Sequence, residues 1–378
     1  MMLGRRPAVV TVDGRVPSPA RGTRSPLAGD DRHHRPAQPG TMTAPRPDRG
    51  LPGLVRRRPV ASFWLIATAL PILLVPVFLL TGAADAMLAA IERQGLDFNT
   101  DLVFAVRLMI AEPTAVPGVL LSLAQVAAPD LAVLAVAALG LGRPALAAVR
   151  RRFRFWSPEV GARRGSVVWA GAVALFIALN LASAGLHAVT GAGGFVWRLE
   201  PGWGLLGGLL VATFLDAGAV FEENGWRGFA LPLLQDRQGP LVASVVLGVL
   251  WSAWHMPVKF NLVADYGVGG FLLVFAVLTA KFVVLSILIT FFFNAAGEAT
   301  IIAIALHGLS NDSVRIGGLV TSEAFADQLL AEVNLTLPML VAAAVLAVAT
   351  RGRLGAPGTP RPRGPRHDSG ARGYGAGR

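Results

Sequence analysis

Eight apolar runs, most of them 18 residues or longer, make up most of residues 60–350 of this chain, with polar connectors between them. About 20 consecutive apolar residues match the hydrocarbon thickness of a bilayer. Inside that layer each backbone N–H and C=O must find a partner within the protein, which restricts spanning segments to helices or closed barrels. Runs of this length and continuity select the helix. The fold class is therefore all-α: a polytopic helical membrane protein of about eight transmembrane helices. Composition agrees. Charged residues make up 15% of the chain and hydrophobic ones 53%, at a mean hydropathy of +0.56, against about 25% charged in a soluble domain.

The formal net charge of +11 raises the question of nucleic acid. The basic residues sit mainly in the two tails and in one loop, where the positive-inside rule places them. The charge reads as topology, and no nucleic-acid partner is expected. With no cysteine in the chain, disulfides, thiolate zinc sites and a cysteine nucleophile are excluded. Only Lys259 and Lys281 among the basic residues are lysine, a bias typical of a GC-rich bacterial genome.

Residues 1–59 are rich in Arg, Pro and Gly and read as a disordered basic tail. They contain no apolar segment of the signal-peptide kind. Met42 is a plausible alternative start to Met1. The membrane domain covers residues 60–350, and residues 351–378 form a second disordered basic tail. Within the domain, spans are expected at Ser62–Gly82, Thr114–Leu141, Ser166–Val189, Trp203 to the turn at Asp236–Pro240, Leu241–Val258, Val268–Phe293, Gly297–Val314 and Leu335–Thr350. An acidic loop, 83–113, and a strongly basic one, 143–164, then fall on opposite sides. That places both termini in the cytoplasm of a bacterial inner membrane. His187, near the end of the third span, reads as an interfacial histidine. No internal repeat stands out.

The least ordinary stretch is Phe221–Gln235, FEENGWRGFALPLLQ, with Glu222, Glu223 and Arg227 inside an apolar run. Ionisable groups at membrane depth are costly, rare and usually paired or functional. Glu222 lies 12 residues before Leu234, and His255 lies 14 after Leu241. At about 1.5 Å per residue they stand roughly 18 and 21 Å above the shared turn. His307, 10 residues past Gly297, stands about 15 Å from a break on the same side. Three helices thus bring Glu222, His255 and His307 to a similar depth.

Residues four apart share a helix face, so Asn311 joins His307, and Glu223 joins Arg227 as an internal ion pair. Asp216 falls on the Glu223 stripe. Glu222 is turned about 100° away. The expected division is Glu223 and Arg227 as a structural pair and Glu222 as the chemical group facing both histidines. A carboxylate beside two imidazoles in a dry pocket suits a general base acting on water, with Asn311 and one histidine as donors to an oxyanion. Glu222, His255 and His307 are equally acceptable ligands for a divalent metal such as zinc. Spacing leaves both readings open. Lys281, mid-span, either lines the cavity or pairs with Asp216.

EENGWR fits the pattern EExxxR, WSAWH fits FxxxH with Trp251 in place of Phe, and HGLSN fits HxxxN. In order and spacing these resemble the CPBP family of CAAX prenyl protease-like intramembrane proteases, also called Abi proteins, over about residues 200–315. The resemblance implies endoproteolysis of a peptide or protein substrate within the bilayer, with Glu222, His255, His307 and Asn311 as catalytic positions. Its members have been described both as metalloproteases and as glutamate-dependent proteases. There is no HExxH helix, GxSG segment or GxGD aspartate. Two other classes remain: a transporter, which predicts inverted repeats and broken helices in corresponding halves and is disfavoured by polar residues concentrated in one half, and a non-catalytic peptide-binding immunity protein.

Overall fold

The computed structural model describes residues 50–96, 100–191, 195–196, 203–316, 318–319 and 325–356. Helix α1 (Leu51–Arg57) hands over to α2 (Pro59–Leu80) across Arg58, and Pro59 at the first helical position of α2 forfeits only a donor that has no intrahelical partner there. Pro71 and Pro76 stay inside α2. Two short helices follow, α3 (Ala83–Arg93) and α4 (Leu102–Ala111). Asp101 caps α4 by accepting from Phe104 N at 2.6 Å, the ordinary role of Asp at a helix start. This region was expected as an acidic loop. It is instead helical, with its own small core of Met87, Ala90, Ile91, Ala105, Leu108, Ala115 and Val119.

Helices α5 (Val116–Val126) and α6 (Ala128–Val136) make the second apolar run, bent by 57° at Ala127 and ended by a π-helical turn, Ala137–Leu141. The basic connector carries α7 (Arg143–Arg152) into α8 (Gly161–Thr190). A two-residue strand, β1 (Phe195–Val196), pairs antiparallel with β2 (Gly318–Leu319), in the register Phe195↔Leu319 and Val196↔Gly318. The fourth run is not one helix. It breaks into α9 (Trp203–Phe214), α10 (Ala217–Glu223), a π-helical segment Asn224–Ala230, and α11 (Leu231–Gln238). Then come α12 (Pro240–His255), α13 (Asn261–Ala295, kinked where Gly267 takes φ 68°), α14 (Thr300–Ile316) and α15 (Phe325–Ala349).

Among the described residues, four helices are long and apolar enough to cross a membrane: Pro59–Leu80, Gly161–Thr190, Leu262–Ala295 and Leu329–Ala349. The bent pair Pro113–Leu141 is a fifth candidate, and α4, α12 and α14 contribute shorter apolar helices. The chain is thus an all-α, multi-pass membrane protein, with apolar helices at each of the eight expected runs. Length alone does not make each of them a full crossing.

Polar links group the connectors. Arg152 pairs with Glu298 at 3.0 Å, Asn294 bonds both Gln235 and the Leu354 carbonyl, and Leu241 N reaches Gly352 O at 3.2 Å. The basic loop, the 236–240 turn, the 294–298 break and the end of α15 therefore belong to one face. Within the stretches read as tails, residues 51–57 are helical with Val55 buried, and Leu354 is buried past the end of α15; residues 1–49 and 357–378 lie outside the described residues. His187, in the last turn of α8, is fully buried and meets Asn334 of α15 at 3.2 Å.

Candidate active site

The break at Leu215–Asp216 sets up the site. Asp216 caps α10, its Oδ1 accepting Ala219 N at 2.7 Å, and its backbone neighbours are tied to the 100–102 segment: Leu102 N to Leu215 O at 2.8 Å and Ala217 N to Thr100 O at 2.9 Å. Thr100 Oγ1 adds a 2.6 Å bond to Asp216 Oδ2. Below the two glutamates the helix widens into the π segment. Such segments are rare and concentrate at functional sites. This one is held from α6, where Asp130 accepts Gly225 N at 2.8 Å and Asn224 Nδ2 at 2.9 Å. Gly225 is required there, since a Cβ would lie 2.8 Å from Pro129.

Helix α10 then presents its two glutamates to two neighbours. Glu223, fully buried, uses Oε1 twice, for Arg227 Nη1 at 2.6 Å and for His307 Nδ1 at 2.9 Å. An ionised carboxylate only accepts, so we assign the Nδ1 proton to His307, which leaves its Nε2 for the cavity. Arg227 also lies over the Trp251 ring, 4.2 Å from the centroid. Glu222 turns to α12. Its Oε2 accepts the indole N–H of Trp251 at 2.8 Å and of Trp226 at 3.3 Å. No described residue donates to its Oε1. That atom shares the space above Gly218 with Asp216 Oδ1 and Asn311 Nδ2: a Cβ on Gly218 would stand 3.1, 3.2 and 3.5 Å from the three.

His255 is half-buried, and its Nδ1 sits 2.9 Å from the Trp251 carbonyl. The carbonyl can only accept, so Nε2 carries the free lone pair. Trp251 stands between the imidazoles, its ring 4.9 Å from that of His307 and 6.2 Å from that of His255. Asn311 is exposed and donates to Asp216 Oδ1 at 3.1 Å. Gly308 lets α14 approach the Ala212 carbonyl of α9, as small residues do between membrane helices. That contact sets the height of His307.

Four expectations change. Glu223 is not confined to Arg227, because it also holds His307. The 100° between the glutamates is retained, but α12 and α14 flank α10 and each receives one of them. Asp216 sides with Glu222 and Asn311 instead of the Glu223 stripe, since the helix break interrupts the periodicity used to place it. Lys281 pairs with Glu332 of α15 at 2.9 Å, not with Asp216. As for a metal, no three His, Asp or Glu side chains converge to hold an ion among the described residues. Glu222, His255 and His307 are therefore not assembled as a ligand cage among the described residues.

The sequence reading passed over Asp130 and the indole N–H of Trp251. The second was legible: replacing Phe by Trp in FxxxH adds a donor, and a buried indole N–H needs an acceptor. Trp251→Phe keeps most of the bulk and removes the stronger of two bonds to a buried carboxylate. It is expected to cost about 1.5–3 kcal/mol, read as a lower midpoint in detergent thermal unfolding. An unchanged midpoint would mean the indole bond contributes nothing.

Residues 201–296 match the family described as Type II CAAX prenyl endopeptidase Rce1-like. The chain is also 46% identical over 50 residues to CAAX prenyl protease 2 of Methanococcus maripaludis, covering 13% of this chain and 18% of that protein. Both support the resemblance to CPBP-family proteases read from the motifs. The family match holds Glu222, Glu223, Arg227 and His255 and ends before His307 and Asn311. The alignment spans less than a fifth of the curated relative.

Proposed function

We propose that this protein is an intramembrane endopeptidase resembling CAAX prenyl proteases, hydrolysing a peptide bond with water activated by Glu222. The observation that carries the reading is the asymmetry of the two carboxylates. Glu223 has its charge committed to Arg227 and His307. Glu222 is anchored through Oε2 and keeps Oε1 free beside Asn311. In this reading Glu222 Oε1 takes one proton as the water oxygen attacks the carbonyl carbon, and His255 Nε2 accepts a hydrogen bond from the water's other O–H, which stays on that oxygen, and orients it. The oxyanion receives hydrogen bonds from Asn311 Nδ2 and from His307 Nε2–H in its protonated form, with Glu223 fixing the ring as a carboxylate does in a catalytic triad. Glu222 then returns the proton to the departing amine as the C–N bond breaks.

Comparative peptidomics of membranes with and without the protein tests this. Peptides ending at new C-termini are expected only where the wild type is present. Identical peptide sets, with a substrate peptide retained equally by wild type and Glu222→Gln in pull-down, would favour the peptide-binding alternative.

The orientation is part of the proposal: both termini cytoplasmic, motivated by the arginine-rich loop and tails. Reporter fusions at Gly364 and within residues 90–100 are expected to report cytoplasm and periplasm respectively. A periplasmic signal at Gly364 would contradict it.

A further inference from the structure

His307 and Asn311 stand one turn apart on α14, and each is held by a carboxylate of the broken fourth run. Glu223 takes His307 at 2.9 Å, and Asp216 takes Asn311 at 3.1 Å. Glu223 fixes a ring that donates to the oxyanion. Asp216 stands in the same relation to the other donor.

Capping alone does not account for Asp216. A helix start needs one acceptor, and Ser or Asn supplies it as well as Asp does. Asp216 is 0% exposed, where a carboxylate is costly unless its oxygens find donors. Its Oδ1 takes both Ala219 N at 2.7 Å and Asn311 Nδ2, while Oδ2 takes Thr100 Oγ1 at 2.6 Å. Backbone bonds on either side, Leu102 N to Leu215 O and Ala217 N to Thr100 O, brace the residue further. The carboxylate is thus fixed by its cap and by the 100–102 segment, independently of α14.

Asn311 needs such a fixed partner. It is exposed, so close packing does not set its carboxamide, whose terminal torsion is broad and roughly two-fold. An ionised carboxylate only accepts, so Asp216 admits Nδ2 and turns the Asn311 carbonyl oxygen away. One N–H is spent on Asp216 and the other stays available. Both groups border the space above Gly218, where Glu222 Oε1 also stands.

Resting on the proteolytic reading above, we propose that Asp216, braced by Thr100, is a positioning residue. It orients the Asn311 carboxamide so that the second N–H faces the developing oxyanion.

The test uses the full chain in liposomes and the one peptide that wild type cuts fastest from a pool of apolar synthetic peptides. Mass spectrometry of the products gives kcat and KM. Asp216→Ser keeps an acceptor for the cap but is too short to reach Asn311. It should lower kcat about tenfold with little change in KM, a part of the roughly 10²–10³ that one oxyanion donor supplies. Asp216→Asn keeps an oxygen for Ala219 N and Asn311 and should retain most of the rate. In an Asn311→Ala background Asp216→Ser should cost nothing further, the non-additivity of residues that act as a unit. Thr100→Val, at an exposed position, removes the brace and leaves the cap. It should lower kcat by a smaller factor, again only where Asn311 is present, and it carries the test should Asp216→Ser not accumulate. Three results would overturn the positioning role alone: equal losses from Asp216→Ser with and without Asn311, a loss as large in Asp216→Asn as in Asp216→Ser, or unchanged kcat in both Asp216→Ser and Thr100→Val. No cleavage of any peptide by wild type would contradict the proteolytic reading and take the positioning role with it.

Discussion

Glu222→Gln is expected to lower turnover by about 10²–10⁴, the usual share of general-base catalysis, while the protein accumulates normally. Glutamine keeps the shape, and its amide oxygen can still accept the Trp251 and Trp226 indole N–H groups that hold Glu222 Oε2. What it cannot do is take a proton. Removing a charge from a site only 3% exposed also carries no unfolding penalty of its own. Glu223→Gln should behave differently. It takes away the charge shared by Arg227 and His307, so it should lower stability and also loosen the His307 ring, with a smaller loss of rate than Glu222→Gln. The comparison is made at matched membrane abundance. A Glu223→Gln protein that is inactive while Glu222→Gln still cleaves would exchange their roles.

Arg227→Ala should be the most destabilising single change at the site, at about 3–5 kcal/mol, the range for leaving one member of a buried pair behind. Both partners are 0% exposed, and the bond is 2.6 Å. The variant would also vacate the face of Trp251, whose ring lies 4.2 Å from the guanidinium carbon. His307, already on the same Glu223 oxygen, can take up a proton and offset part of the lost charge, so the lower end of the range is expected. The readout is protein yield in membranes together with the midpoint of detergent thermal unfolding. Wild-type yield and an unchanged midpoint would mean that the pair does not hold the helices together.

How much of this was legible in the sequence depends on what each inference used. Length and continuity of apolar runs located the long helices, because a bilayer leaves a chain few other solutions. The i, i+4 rule placed Glu223 on Arg227, since both sit on one turn. What a uniform 3.6-residue period could not carry was the fourth run. There Asp216 interrupts the helix as a cap and Asn224–Ala230 winds as a π segment. A phase counted through Asp216 therefore put it on the wrong side. The capping pattern, an Asp at the start of a short helix inside an apolar run, was the available signal. Nor does a period say which neighbour a face meets. That Glu223 reaches His307 depends on α14 lying against α10, a tertiary fact. The 83–113 segment looked like a loop because its acidic residues mask short amphipathic helices, whose apolar faces close on each other.

The most direct measurement is hydrolysis in ¹⁸O-labelled water by the purified chain in liposomes, with wild type, Glu222→Gln and Glu223→Gln run side by side on one peptide pool. The account predicts that new C-termini carrying one ¹⁸O accumulate with wild type, fall by about 10²–10⁴ with Glu222→Gln, and fall less with Glu223→Gln. Labelled C-termini formed at equal rates by wild type and Glu222→Gln, or formed by none of the three, would contradict it.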